Sequence, residues 1–238
     1  MLGLGLCSGL LSAVTASADA DTDKFKLKLV SQLPEFTIDD VKTSPIAGLY
    51  EVTMGGETVL ISADGKYLLT GDLIEVATRT NLSEKRRGKK ILSALEQAGE
   101  KDMIVIGPSK AKHTITVFTD VDCPYCAKLH NEVPELTKAG IKVRYLLYPR
   151  AGVGTETYKR SVAVWCAKDR IKAVGIAKSG GALDMKTCDN PVAGNIKLGQ
   201  SLGVTGTPTI VLDSGQILPG YVPAEKLVAG LEQGAAKK

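Results

Sequence analysis

The segment "TVFTDVDCPYCAKLH", from Thr116 to His130, constrains the fold more than any other part of the sequence. An apolar run typical of a buried strand leads into two cysteines, separated by two residues, at the start of a predicted helix. Cys123 would lie at the amino end of this helix, where unpaired N–H groups and the dipole favour a thiolate. Cys126 would lie one turn further on, facing inward. This spacing predicts a redox-active pair of thiols.

The two residues between the cysteines fit that interpretation. Pro124 suits the first helical turn because its missing N–H would have no partner there. Tyr125 would project beside an exposed Cys123 sulfur, where it could contact a substrate chain. The CxxC dipeptide is therefore a candidate part of the site.

The amino-terminal residues 1–18 resemble a secretory signal peptide. Leu2 to Val14 form an apolar stretch, and Ala16-Ser17-Ala18 has the small-x-small pattern that signal peptidase accepts. Cleavage is expected after Ala18 or Ala20, although no Lys or Arg precedes the apolar stretch. With no later segment long and apolar enough to cross a bilayer, the sequence predicts an exported protein.

The cysteine count supports export. Of five cysteines, Cys7 lies in the predicted signal, which leaves Cys123, Cys126, Cys166 and Cys188. An even number in an exported protein favours disulfides, and four cysteines allow three pairings. If the CxxC pair closes on itself, the other two must form a structural disulfide, which would add about 3 kcal/mol in the chain-entropy model.

Two other uses of the CxxC pair remain open. Cys123, Cys126 and His130 could supply three zinc ligands, with His113 or another cysteine as the fourth. A purely structural staple is the other alternative, but so short a loop gains little stability from closure. A single CxxC in an oxidising compartment favours redox chemistry, and we expect neither a metal nor an organic cofactor.

Charge gives little indication of nucleic-acid binding. The net charge is +4, and basic residues are scattered except in "KRRGKK", from Lys85 to Lys90. That run is more typical of a solvated helix face than of a nucleic-acid interface. No nucleic-acid partner is predicted.

Residues 19–80 predict a small amino-terminal domain, in which a short helix precedes "GLYEVTM", "ETVLIS" and "KYLLTGDLIEV". These stretches, with turns between them, are typical of an antiparallel meander. A domain of this size buries little core and leaves sheet edges unpaired, so it is a reasonable dimerisation unit. A domain that packs on its own chain is the alternative. Residues 81–100 then predict a linker helix, polar in its first half.

Residues 101–238 alternate strands and helices in the order of a thioredoxin fold. "HTITVFTD" predicts a strand, "CPYCAKLHNEVPELTKAG" a helix that ends at Gly140, and "KVRYLLYP" a second strand. A helical region from about Thr155 to Leu202, a hairpin and a last helix from Pro223 follow. The predicted fold class is therefore mixed α+β and α/β, with a thioredoxin-like domain that carries a helical insertion.

The segment "GVTGTPTIVL" places Pro208 immediately before an apolar strand, where a trans proline would interrupt strand pairing. A cis Thr207–Pro208 bond would turn the chain sharply and leave the backbone near Thr207 free to pair with an extended substrate. Thr207 and Pro208 are therefore candidate substrate-binding residues.

Several of these segments together resemble one family, the bacterial periplasmic thiol:disulfide interchange proteins of the DsbC/DsbG family, with DsbC the nearer match. The segments are "SPIAGLYEV", "ADGKYLLTGDLIEV", "TVFTDVDCPYCAKLH", "RYLLYPR", "WCAKD" and "GVTGTPTIVLDSGQILPGYVP". The resemblance implies a V-shaped homodimer with a cystatin-like amino-terminal domain. It implies that Cys123 attacks, that Cys126 resolves, that Thr207 and Pro208 form the cis-proline loop and that Cys166 and Cys188 are bridged.

The same resemblance implies a periplasmic enzyme that rearranges incorrect disulfides in misoxidised exported proteins, with chaperone activity in an apolar cleft. Its active pair would be kept reduced by the membrane reductant DsbD. Pro124 departs from the glycine of DsbC in enteric bacteria, so the CPYC motif also resembles DsbG. A DsbG-like reductase of sulfenylated single cysteines, a non-catalytic periplasmic chaperone and a net oxidant of the DsbA kind are the alternatives.

Overall fold

A computed structural model describes the backbone of residues 12–54 and 57–236, with side chains for residues 21–54 and 57–234. The chain divides into two compact units, one up to Ser83 and one from Glu84. Residues 1–11 of the expected signal lie outside the described residues. The two expected cleavage points fall within the first helix, α1 (Ser12–Gln32). In the described part of the chain, no helix has the length and hydropathy needed to span a bilayer.

The first unit packs α1 against a four-stranded antiparallel sheet in the order β1-β2-β3-β4. Its strands are β1 (Ile38–Thr43), β2 (Leu49–Met54), β3 (Glu57–Ser62) and β4 (Leu68–Leu69). Phe25 and Leu29 from α1 are buried with Val52 and Ile61 of the sheet. The Phe25 ring stacks on Tyr50 with centroids 4.3 Å apart. The helix therefore closes one face of this sheet.

The stretch "KYLLTGDLIEV" forms two short strands rather than one. β4 ends at Leu69, and β5 (Ile74–Glu75) pairs with β6 (Thr80–Asn81) in a separate ladder. Gly71 lies between them at φ 128°, a conformation that other residues rarely adopt. This turn separates the second ladder from the meander.

The second unit contains a five-stranded sheet in the order β11-β10-β8-β9-β7. Its strands are β7 (Ile104–Ile106), β8 (His113–Thr119), β9 (Ile141–Leu147), β10 (Thr209–Val211) and β11 (Ile217–Pro219). β8 and β9 are parallel and the other neighbours antiparallel. Every residue of β8 from Ile115 to Thr119 is buried, which makes it the central strand of the core.

Seven helices of the described chain accompany this sheet. They are α2 (Leu82–Ala98), α3 (Pro124–Asn131), α4 (Val133–Lys138), α5 (Glu156–Trp165), α6 (Arg170–Lys178), α7 (Val192–Ser201) and α8 (Ala224–Ala236). The predicted order of strand, helix, strand, inserted helices, hairpin and last helix is confirmed. The single helix expected to end at Gly140 is instead two, α3 and α4.

Pro134 explains why that helix is broken. Proline lacks the N–H that would bond to the carbonyl of His130, and its ring would clash with that same carbonyl. The break falls at Glu132, with Pro134 in the first turn of α4. Helix α3 is therefore short. It carries Cys126 within its eight residues and Cys123 immediately before them, close to the carboxyl end of β8.

Candidate active site

Two cysteines of the described residues are free, and they lie where the central strand passes into α3. Cys123 is the residue that precedes α3, and its carbonyl accepts the N–H of Ala127 at 3.0 Å. Pro124 occupies the first helical turn, and Cys126 lies within the helix on its buried side. Cys166 and Cys188 form a disulfide with an S–S distance of 2.04 Å, so the four cysteines divide into one free pair and one bridge.

The environment of Cys123 favours its thiolate. Burial by itself would raise the pKa of Cys123, but hydrogen bonding from the Cys126 backbone and from the Thr207 and Cys126 side chains outweighs it. The Arg150 guanidinium adds a favourable charge. The net result is a pKa below the usual value for a cysteine.

Cys123 is less accessible than the sequence indicates. The residue is 2% exposed, whereas the sequence predicts an exposed sulfur. It nevertheless lines an open cavity of about 580 Å³ between α3 and the end of α6, together with Asp122 and Lys178. A reactant therefore approaches this sulfur through a cavity and not across a flat surface.

The Thr207–Pro208 segment lies directly opposite Cys123. This peptide bond is cis, and the Cys123 thiol donates to the Thr207 carbonyl at 3.3 Å. The Thr207 Oγ1 atom is buried and has no hydrogen-bond partner within the described residues. The hydroxyl is thus free to donate to an ionised sulfur, and it lowers the pKa of both Cys123 and Cys126.

Cys126 has the opposite electrostatic balance. Burial raises its pKa, and this effect exceeds the lowering by the nearby Lys178 charge, the Asp120 backbone and the Thr119 hydroxyl. Of the two thiols, Cys126 is therefore the one that stays protonated near neutral pH. The pair therefore consists of one thiol with a lowered pKa, Cys123, and one with a raised pKa, Cys126.

An ion pair fixes the loop between β8 and Cys123. The buried Asp120 carboxylate accepts hydrogen bonds at 3.0 Å from the Nε and from the backbone N–H of Arg150. Beside it, Asp122 accepts from the Arg160 Nε at 2.9 Å. Since both arginines lie beyond β9, these contacts tie the loop to the following part of the domain.

The remaining sequence-predicted residues lie in different surroundings. Tyr125 is 64% exposed next to the cysteines. The Nδ1 of His130 lies 3.1 Å from the Tyr145 hydroxyl, and that of His113 lies 2.6 Å from the Asp213 carboxylate. Between residues 21 and 234, leaving out 55 and 56, no three His, Cys, Asp or Glu side chains form a group that could hold a metal ion.

Sequence reasoning missed the polar groups that surround the thiols, namely Thr119, Asp120, Arg150 and Lys178. The sequence does contain one pattern that could have identified Lys178. It follows Ala173, Val174 and Ala177 at helical spacing, which places a lysine on the apolar face of a helix. For Arg150, 30 residues from Asp120, the sequence holds no comparable signal.

The fold and the paired cysteines define a class of protein, the thiol–disulfide exchange proteins of the thioredoxin type. Residues 99–235 match the family described as a thioredoxin-like domain. Residues 16–84 match the disulfide bond isomerase protein N-terminal domain family.

Relatives extend this match to nearly the whole chain. The thiol:disulfide interchange protein DsbC of Escherichia coli K12 is 36% identical over 226 residues, covering 94% of this chain and 93% of its own. DsbC of Dickeya dadantii is 38% identical over 93% of this chain and 90% of its own. The chain belongs to the DsbC family of thiol:disulfide interchange proteins, which confirms the resemblance seen in the sequence.

A solved structure is similar to part of this chain. The crystal structure of a disulfide interchange protein from Neisseria gonorrhoeae has a TM-score of 0.50 and 29% identity. It covers 56% of this chain and 98% of its own.

Proposed function

We propose that this chain is a periplasmic, homodimeric protein disulfide isomerase and reductase that acts on misoxidised exported proteins. One observation carries the proposal. The Cys123 sulfur, at the amino end of α3 and with a lowered pKa, is paired with a protonated Cys126 and faces the Thr207 carbonyl. Thiol–disulfide exchange needs one thiol that ionises readily to attack and a second thiol that keeps its proton until it resolves the mixed disulfide.

In the first step, the Cys123 thiolate attacks one sulfur of an incorrect substrate disulfide. A bond forms between the Cys123 sulfur and that sulfur, the substrate S–S bond breaks, and the other substrate sulfur leaves as a thiolate that takes a proton from solvent. The product is a mixed disulfide. No electrons are gained or lost overall, so no cofactor is required.

Two routes then resolve the mixed disulfide. If a second substrate thiolate attacks the substrate sulfur, a different substrate disulfide forms and Cys123 is released unchanged, which is isomerisation. If Cys126 attacks the Cys123 sulfur, the Cys123–Cys126 disulfide forms and the substrate leaves reduced by two electrons. The second route oxidises the enzyme, so the proposal includes the membrane reductant DsbD as the partner that restores both thiols.

The segment Thr207–Pro208 is proposed to hold the substrate backbone beside Cys123. Pro208 has no N–H, and the Thr207 carbonyl lies within hydrogen-bond distance of the reacting sulfur. The exposed Tyr125 ring would border the same approach. An extended substrate could therefore pair with this segment as an added strand does.

Dimerisation is proposed to occur through the first unit. Several of its apolar side chains are exposed on and near the short strands β4 and β5, namely Tyr67, Leu68, Leu69, Ile74 and Val76. Apolar side chains grouped in this way are typical of an interface, and short strands leave hydrogen-bonding edges available. Two paired copies would place two thiol pairs in one assembly, where a cleft could also support chaperone activity.

Refolding of a scrambled multi-disulfide protein tests the proposal. The wild-type protein should restore its activity, Cys123→Ser should abolish this rescue, and Cys126→Ser should retain isomerisation while losing net reduction. Full rescue by a Cys123→Ser/Cys126→Ser variant would favour a chaperone without redox activity. Efficient reduction of a sulfenylated single cysteine without rescue would favour the DsbG-like alternative.

Whole-cell trapping of the cysteines tests the partner and the compartment. The pair should be found reduced in the periplasmic fraction when DsbD is present and oxidised when it is removed. A pair that is oxidised in both strains would contradict the isomerase and favour a net oxidant.

A further inference from the structure

Lys178, the last residue of α6, places an amine inside the site at a position that the proposed function leaves without a role. The residue is 9% exposed. Its Nζ donates to the Thr119 hydroxyl at 2.7 Å and to the Asp120 carbonyl at 3.1 Å. The same carbonyl accepts the backbone N–H of Cys123 at 3.4 Å. The amine is therefore held at the end of β8, next to the turn that leads to Cys123.

This amine has no carboxylate partner among the described residues. The Asp120 carboxylate is bound by Arg150, and the Asp122 carboxylate by Arg160 from α5. Both carboxylates act on Lys178 only through longer-range attraction. Burying a cation without an ion-pair partner is costly. A different anion close to the amine would reduce that cost.

The thiols are the anions available. Burial lowers the pKa of Lys178, and the interactions that oppose this effect most strongly are those with Cys126 and Cys123. In the other direction, Lys178 is the strongest single influence that opposes the raised pKa of Cys126. Burial therefore moves the pKa values of the two groups toward each other, which lowers the free energy needed to transfer a proton between them.

Other titratable groups around the amine are poor acceptors for that proton. The pKa of His130 on α3 is lowered to about 4, by burial and then by the Lys178 charge, so its imidazole binds a proton weakly. The pKa of Tyr145 on β9 is raised by burial, and its hydroxyl is bonded to His130. Tyr145 and His130 are thus neutral neighbours of the Lys178–Cys126 pair.

The Thr119 hydroxyl interacts with both the amine and the Cys126 thiol. It accepts from the Lys178 Nζ, and its hydrogen bonding lowers the pKa of Cys126. A proton relay through this hydroxyl would have two arrangements. In one, the ammonium donates to Thr119, which donates to the Cys126 thiolate; in the other, the Cys126 thiol donates to Thr119, which donates to the neutral amine.

We propose that Lys178 is a positioning residue for the resolving step, taking the proton of Cys126 through the Thr119 hydroxyl and then stabilising the thiolate as an ammonium. The proposal rests on the proposed function, in which Cys126 attacks the mixed disulfide. It adds the acceptor for the proton that this attack releases.

The resolving step begins with a proton transfer. The proton leaves the Cys126 sulfur for the Thr119 oxygen while the Thr119 hydroxyl proton passes to the neutral Lys178 nitrogen. The Cys126 thiolate attacks the Cys123 sulfur, the Cys123–Cys126 bond forms, and the bond from Cys123 to the substrate sulfur breaks. The substrate leaves as a thiolate and is protonated when Lys178 returns its proton through solvent in the cavity.

Stopped-flow kinetics on the full chain test this role. A peptide joined through a disulfide to a fluorescent thiol gives a bimolecular phase for attack by Cys123 and a unimolecular phase for resolution by Cys126. Lys178→Met should slow the unimolecular phase about tenfold or more at pH 7, since each pKa unit corresponds to a tenfold change in ionised fraction. The bimolecular phase should change less than about threefold, and the pH profile of resolution should move to higher pH.

Two further variants make the result specific. Lys172→Met removes an exposed lysine from the same helix and should leave both phases unchanged. Lys178→Arg keeps the charge but does not give up its proton, so resolution should remain slow. Resolution within about threefold of wild type in either Lys178 variant, or equal slowing of both phases, would overturn the proposal. A wild-type protein without a bimolecular phase would instead contradict the proposed function.

A measurement on the unmodified protein covers the case in which Lys178→Met does not fold. The Lys178 side chain can be titrated by carbon-13 NMR in the reduced and the oxidised protein. The midpoint should be higher in the reduced protein, because only there can a cysteine thiolate stabilise the ammonium. Equal midpoints in the two redox states would overturn the proposal.

Discussion

The Cys123 sulfur lies 3.3 Å from the carbonyl oxygen of Thr207, 84 residues further along the chain. The same residue carries the buried hydroxyl that lacks a hydrogen-bond partner among the described residues. Thr207 is therefore in contact with the sulfur through its backbone and can support the thiolate through its side chain.

Replacing Thr207 by valine should remove the hydroxyl and retain the carbonyl contact. The pKa of Cys123 should rise, because a donor to its thiolate is lost. A hydrogen bond of about 1 kcal/mol corresponds to a roughly fivefold slower alkylation of Cys123 at pH 7. Alkylation rates against pH measure this directly, and Thr205→Val in the same loop is the control. An unchanged profile would mean that the Thr207 hydroxyl does not act on the Cys123 thiolate.

The lowered pKa of Cys123 should also make the stability of the reduced protein depend on pH. The folded value lies below the value of the unfolded chain, about 8.5, so folding favours the thiolate. The contribution to stability is fully present above the unfolded value and is lost as pH falls through the folded value. Urea unfolding of the reduced protein at several pH values measures this contribution, and Cys123→Ser is the control that lacks it. Identical pH dependence of the two proteins would contradict the lowered pKa.

The Asp120–Arg150 ion pair gives a prediction about the loop before Cys123. Arg150→Met would leave the buried Asp120 carboxylate unpaired, and we expect a loss of about 2 kcal/mol, since Arg150 itself is half exposed. The pKa of Cys123 should rise in the same variant, because the guanidinium charge is removed. Lys159→Met removes an exposed ion pair with Glu156 and should change stability by less than about 0.5 kcal/mol. Equal effects of the two variants would show that Asp120 does not depend on Arg150.

Local sequence patterns predict the scaffold of the site well. A buried strand, a CxxC pair at a helix start and a proline before a strand are each visible within about ten residues, because each reflects a local backbone or capping preference. The places of the CxxC pair and of the proline in the fold follow from these patterns. The break at Glu132 also has a local cause, Pro134, and sequence reasoning could have placed it.

Contacts between distant segments could not be predicted in the same way. Lys178 is 59 residues from Thr119, and their hydrogen bond depends on how the inserted helices pack on the sheet. The run "KRRGKK" gives a second example, since its polarity predicts a solvated helix face but Gly88 within it is buried. No local pattern reports which backbone will approach a glycine.

Gly88 is buried because the turn at Ser214–Gly215 packs against it. A Cβ added at Gly88 would overlap the Ser214 carbonyl oxygen, although alanine is the better helix former. Gly88→Ala should therefore destabilise the second unit by about 2 kcal/mol. Gly194→Ala in α7 meets no atom within 4 Å and should stabilise it by about 0.5–1 kcal/mol. Urea unfolding followed by the fluorescence of Trp165, the only tryptophan, compares the two variants. Changes in stability of the same sign would contradict the close approach of Ser214 to Gly88.

His130 provides a pH-dependent test of the site interior. Its pKa is lowered to about 4 by burial and by the Lys178 charge, below an unfolded value of about 6.5. The unfolded chain therefore binds a proton first, so stability is fully present above about pH 6.5 and is lost progressively as pH falls toward 4. Proton NMR of the His130 ring should place its midpoint near that lower value. His130→Gln should flatten the loss of stability between pH 6.5 and 4. A His130 midpoint near 6.5 would mean that neither burial nor the Lys178 ammonium acts on this ring. It would also remove one observation in favour of a charged Lys178 side chain near His130.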